Sequence, residues 1–169
     1  RKALDFIIKL CNVTAKKYAA SEFAAPKNGE FFSDEVAVRT FSLTLSDGTL
    51  VAQYASPHLW KGYRGQSTLP YLLQCALMAL ENWLVEYISV CDEKNSISWI
   101  YDYLLRNTNS VMVTSVLASV AVGFPDKVKN AAFPMLSTPD LYNLDLIRVT
   151  SEMGRSELNW FGFNRDVMS

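Results

Sequence analysis

The chain has 169 residues, of which 50% are hydrophobic and 12% aromatic, enough for one well-buried core and too apolar for a disordered segment. Sixteen Lys and Arg against seventeen Asp and Glu leave a formal net charge of -1, so no broad positive field exists to attract a phosphate backbone, and nucleic acid is not an expected partner. Cys11, Cys75 and Cys91 are odd in number and lack CxxC spacing, which fits reduced thiols and a cytoplasmic location better than a disulfide framework.

The first predicted element is a helix from Ala3 to about Ala20, with Leu4, Ile7, Ile8, Cys11, Ala15 and Tyr18 on one stripe and Lys9, Lys16 and Lys17 on the solvated side. The pattern is already running at Ala3, with no methionine before Arg1, so the expectation is a domain cut from a larger protein. The sequon Asn12-Val13-Thr14 is read as chance, because no signal peptide accompanies it. Pro26, Asn28 and Gly29 break the helical pattern. Glu35 to Leu45 and Thr49 to Ala55 then read as a β-hairpin over about residues 35–55, turning at Asp47-Gly48 as a type I′ turn. Val36 and Val38 share one phase while Phe41, Leu43 and Leu45 share the other, which predicts a bulge near Arg39-Thr40.

The stretch SPHLWKGYRGQST, from Ser56 to Thr68, is expected to be an irregular loop because of Gly62 and Gly65. Thr68 is a candidate cap and Pro70 a first-turn residue for the next helix, which carries Leu73, Ala76, Leu77, Leu80, Leu84 and Tyr87 to about Val90. A shorter helix follows from Ser96 to Arg106, with Ile97, Ile100, Tyr101 and Leu104 at helical spacing. Between Ser110 and Pro125 the run SVMVTSVLASVAVGF has no charge. It is predicted as a buried helix, a buried strand being the alternative that its β-branched residues leave open, and it is too short for the roughly 20 apolar residues that cross a bilayer.

Gly123, Pro125 and Asp126 connect it to a helix around Lys127 to Leu136, which Pro134 should kink or stop. Thr138 and Pro139 read as N-cap and first position of a last helix to about Glu152, and Gly154 to Ser169 as a mixed tail whose Phe161 and Phe163 could dock on the body. The expected architecture is mainly α in a single domain over 1–169, an irregular or HEAT-like helical stack with one β-hairpin. Its parts are a helix plus hairpin at 1–56, a loop at 57–68, a helical stack at 69–153 and a tail at 154–169.

Chemistry is sparse. His58 is the only histidine, which removes multi-histidine metal sites and any imidazole relay, and Ser56 is in no GxSxG elbow. Lys61-Gly62 is in the wrong order for a phosphate loop, and neither GxxxxGK[ST] nor GxGxxG occurs. No catalytic residue, metal or cofactor is therefore assigned. Glu81 sits at the border of an apolar arc, and Arg64 in the preceding loop is its expected ion-pair partner. Trp60, Tyr63 and Arg64 are the residue types of interface hot spots, with buried packing of the rings as the alternative role.

The runs LWKGYRGQSTLPYLLQCALMALENWL and LLRNTNSVMVTSVLASVAVGFPDKVKNAAFPML resemble, over about residues 59–152, the helical stretch that follows the nucleotide-binding core in large bacterial STAND-type NTPases, the AVAST anti-phage defence proteins. The resemblance implies a parent with an effector, an ATPase and a helical sensor for phage proteins, this chain supplying scaffold or sensor. The ATPase motif positions themselves are absent here. The first expectation is thus a non-catalytic module whose partners are other domains of its parent or a protein ligand, without membrane contact. A small enzyme with a site between the hairpin and the WKGYRG loop, using Glu81, Arg64 and Tyr63, is the second. Self-association through the ends of the helical stack into a homo-oligomer is the third.

Overall fold

A computed structural model describes residues 1–21, 37–65, 69–91 and 93–163. The breaks at Pro26 to Gly29, the strand start at Glu35 and Val36, the cap at Thr68 and the end of the tail lie outside the described residues, as do the side chains of Phe161 and Phe163. The fold is mainly helical with one two-stranded antiparallel hairpin, in an irregular arrangement.

Helix α1 (Lys2–Ala19) buries Leu4, Ile8, Cys11 and Ala15, the seam its apolar spacing predicted. Strands β1 (Arg39–Thr44) and β2 (Leu50–Ala55) pair without interruption from Arg39↔Ala55 to Thr44↔Leu50, so the bulge expected near Arg39-Thr40 is not formed. The change of phase needs none, because the ladder begins only at Arg39 and keeps Leu43 inward against the helices. The turn also differs from the expected type I′. Gly48 alone has a positive φ, 82°, with Gly48 N–H donating to the Leu45 carbonyl and Leu45 N–H to that of Thr49. This is a three-residue loop with glycine in the left-handed position, and the Asp47 carboxylate reinforces it by accepting from Thr49 N–H at 2.9 Å.

The segment after β2 is ordered rather than irregular. Ser56 Oγ accepts from Leu59 N–H at 3.1 Å and Pro57 takes the first position of α2 (Pro57–Trp60), which passes into a 3-10 turn at Lys61–Arg64. Gly62 serves closeness rather than flexibility there, since a Cβ on it would come within 2.8 Å of Leu69 Cδ1. Helix α3 (Tyr71–Val90) buries Leu73, Leu77, Leu80, Leu84 and Ile88, and α4 (Lys94–Asn107) buries Ile97, Ile100, Tyr101 and Leu104.

The uncharged run is α5 (Val111–Gly123), opened by Ser110 Oγ accepting from Met112 N–H. Every residue from Val111 to Leu117 is buried, so one face packs on α3, another on α1 and α4, and a third on α2 and β2. Over these residues the helix is enclosed and needs no polar stripe, while its C-terminal end opens outward at Val122, which is 83% exposed. Two buried hydroxyl contacts tie it to other elements: Thr114 Oγ1 donates to Gln53 Oε1 at 2.7 Å, and the Leu117 carbonyl accepts from the Tyr101 hydroxyl at 3.0 Å.

Instead of one helix around Lys127 to Leu136, the chain makes α6 (Pro125–Val128), a 3-10 turn at Lys129–Ala132 and α7 (Phe133–Leu136). Pro134 falls in the first turn of α7, where a missing N–H costs nothing, and the break occurs before it at Lys129. Helix α8 (Pro139–Phe163) runs through Gly154 and replaces most of the expected tail. A single interior glycine costs only about 1 kcal/mol, too little to end a helix between compatible neighbours. Thr138 is not a side-chain cap for α8; its hydroxyl donates backwards to the Pro134 carbonyl at 2.9 Å.

Candidate functional site

Three elements that are distant in sequence enclose a cleft of about 480 Å³: the segment of α2 and its 3-10 turn, the C-terminal half of α5 with α6 and α7, and the first half of α8. Its existence follows from residue size. Ser115, Ala118, Ser119 and Val122 recur at helical spacing along α5, and their short side chains leave the space on this side unfilled. Val128, Ala132, Met135 and Leu141 supply apolar walls.

One end is polar. Trp60 Nε1–H donates to Asp145 Oδ1 at 3.1 Å, and Arg148 grips the same carboxylate with Nε at 2.8 Å and a terminal nitrogen at 3.2 Å. Arg148 then reaches Glu152 Oε2 at 2.9 Å, while Arg64 Nε donates to Glu152 Oε1 at 3.2 Å. Burial raises the pKa of Asp145, but the hydrogen bonds from Arg148 and Trp60 and the nearby cationic charge outweigh it, so the carboxyl lies below its ordinary value. The Asp145 hydrogen bond holds the Arg148 guanidinium firmly charged, and burial pushes the Tyr63 hydroxyl up. Each carboxylate oxygen of this ladder accepts at least one charge-assisted bond, which leaves no spare base.

Arg64 therefore does not pair with Glu81 as the sequence suggested. It turns toward α8, and Glu81 Oε1 instead accepts from Ser119 Oγ at 2.6 Å. The loop position of Arg64 gave no sign that a carboxylate 88 residues later would stand closer. Trp60 and Tyr63 are only 2% and 4% exposed, so their rings are packed rather than presented; Arg64 is exposed and lies over the Tyr63 ring at 5.6 Å. His58 stacks on Tyr18 at 5.7 Å.

The cleft beside the WKGYRG loop takes no wall from β1 or β2 and lies toward α5 and α8. Sequence reasoning also missed Asp145, Arg148 and Glu152. Their i, i+3 and i+4 spacing on one helix was the available signal. It missed Lys129 as well, the sole non-glycine at positive φ among the described residues, with φ 47° and ψ -124° on the cleft wall. Such a conformation costs about 1–3 kcal/mol and is held by the surrounding fold.

A separate feature faces outward. Along α3 the side opposite the core exposes Tyr71, Leu72, Cys75, Met78, Trp83 and Val85 together with the polar Asn82 and Glu86, and the helix contains no Lys or Arg. At one end of this face Trp83 stacks on Tyr87 at 5.5 Å, beside a parallel stack of Trp99 on Tyr103 from α4 at 5.2 Å. No family model matches the chain, and no characterised protein matches it in sequence. Among the described residues no single helix is long and apolar enough to cross a membrane; α5 and the Pro125–Leu136 segment would suffice together but bend by 106° between them.

Proposed function

We propose that this chain is a non-catalytic helical module that acts through protein contacts inside a larger cytoplasmic protein. The observation that carries the reading is the outer face of α3, where Leu72 is 68% and Met78 43% exposed on a helix without a cation. An apolar face of this extent is what a protein-contact site presents, and the adjoining Trp and Tyr stacks are the residue types that dominate binding energy. The Asp145, Arg148 and Glu152 ladder supports the same reading over a small enzyme, because the carboxylates near Tyr63 are spent on neighbouring cations and leave no free base.

A photo-crosslinking residue at Met78 of the full-length protein, with a control at the exposed Thr44 of β1, tests this. Crosslinks to one protein species from position 78 alone, lost on Leu72→Glu, are expected. Equal yields from both positions would overturn the reading, and sedimentation of the purified chain separates a second copy from a foreign partner.

The likeness of residues 59–152 to STAND NTPases extends the proposal: the module would sit beside an ATPase core and take part in sensing a phage protein. A GxxxxGK[ST] loop encoded upstream of Arg1 is then expected, and a start codon immediately before Arg1 would contradict it.

A further inference from the structure

The cleft between α5 and α8 plays no part in the contact face of α3, yet its walls have a defined polarity. Cations on the lining, Arg64, Lys129 and Arg148, outnumber its single carboxylate, Asp145. Arg148 is fully engaged by Asp145 and Glu152. Arg64 is not: it gives Nε to Glu152, and its two terminal nitrogens make no hydrogen bond among the described residues. These two donors form a planar fork at the half-exposed mouth, the geometry that matches one carboxylate. Away from this end the wall is apolar, from Ala118 and Val128 to Leu136 and Tyr142, except for Lys129 beside Val128. Tyr142 precedes Arg148 by six residues on α8, about 9 Å along the helix axis, so charge and apolar surface are segregated lengthwise.

We propose that this cleft binds a small organic carboxylate with an unbranched apolar body, its head on the free side of Arg64 and its chain between α5 and α8. A cavity of about 480 Å³ is within the range that encloses such molecules. A doubly charged phosphate is disfavoured, because the carboxylates of Asp145 and Glu152 stand next to the same cations. A neutral or cationic amphiphile leaves the Arg64 fork unmatched.

Calorimetric titration of the chain with dodecanoate and dodecylammonium below their micelle concentrations, and with dodecanol below its solubility limit, tests the proposal. Dodecanoate is expected to bind at least tenfold more tightly than the other two. Arg64→Gln, at a half-exposed position, should bring the acid down to the level of the alcohol, with an unchanged circular-dichroism spectrum showing that the fold is kept. Ala118→Leu narrows the cleft from the α5 side and should weaken acid and alcohol alike. Equal affinity for all three probes, no binding of dodecanoate, an acid preference that survives Arg64→Gln, or affinity unchanged by Ala118→Leu would each overturn it.

Discussion

The indole of Trp60 donates to Asp145 Oδ1 at 3.1 Å across 85 residues of sequence, and this bond fastens α2 to α8. Trp60→Phe removes the donor and one ring of a side chain that is 2% exposed, so it should cost about 2–4 kcal/mol in denaturant unfolding at pH 7, of which the bond to a charged group supplies about 1.5 kcal/mol. The carboxyl of Asp145 is held below its ordinary 3.8. Its contribution is therefore whole above that pH and disappears as pH falls through the lower folded value. The gap between parent and Trp60→Phe should narrow below pH 3.8; a gap that widens in acid would refute the assignment.

Asn12 is the second long-range tie. Its Nδ2 donates to the Asn107 carbonyl at 2.9 Å, and its Oδ1 accepts from Asn109 N–H at 2.9 Å and from Thr108 Oγ1 at 3.3 Å. Asn12→Ala should destabilise the chain by roughly 2 kcal/mol, because it strands groups in the connection between α4 and α5. Chemical denaturation measures this, and an effect below 0.5 kcal/mol, ordinary for a surface change, would contradict it.

Gln53 and Thr114 are each 0% exposed and meet at 2.7 Å. Thr114→Val is expected to cost about 1–3 kcal/mol by leaving the Gln53 oxygen unsatisfied. Gln53 Nε2 has no hydrogen-bond partner among the described residues, so Gln53→Met combined with Thr114→Val should recover much of that loss. Additive costs in this double-mutant cycle would show that the two side chains do not act as a pair.

Lys129 has φ 47° and ψ -124°. Lys129→Gly removes the Cβ clash at the expense of some unfolded-state entropy, for a net stabilisation of about 1 kcal/mol. A lowered melting temperature for this variant would mean that the lysine side chain contributes more than its backbone strain costs.

The helices α1, α3, α4 and α5 were legible because their burial follows apolar spacing along one element: Leu4, Ile8, Cys11 and Ala15 in α1, or Leu73, Leu77, Leu80 and Leu84 in α3. The absence of charge along α5 likewise announced a helix whose first turns are enclosed by others. The Asp47-Gly48 turn was visible too, since an Asp-Gly pair between two apolar runs marks a hairpin and Gly48 takes the positive φ such a turn requires. Loop order was less legible. Pro57 and Ser56 carried a start signal for α2 that the nearby glycines outweighed in a local reading.

What the sequence by itself determined, then, is which faces are apolar and where turns are sterically cheap, because both depend on neighbours within a few residues. Only the tertiary structure decided that Arg64 meets Glu152 while Glu81 meets Ser119, and that small residues on α5 open a cleft against α8. An ion pair is set by which charges packing brings within a few ångströms, and a cavity by what packing fails to fill. Neither quantity is local to a stretch of chain.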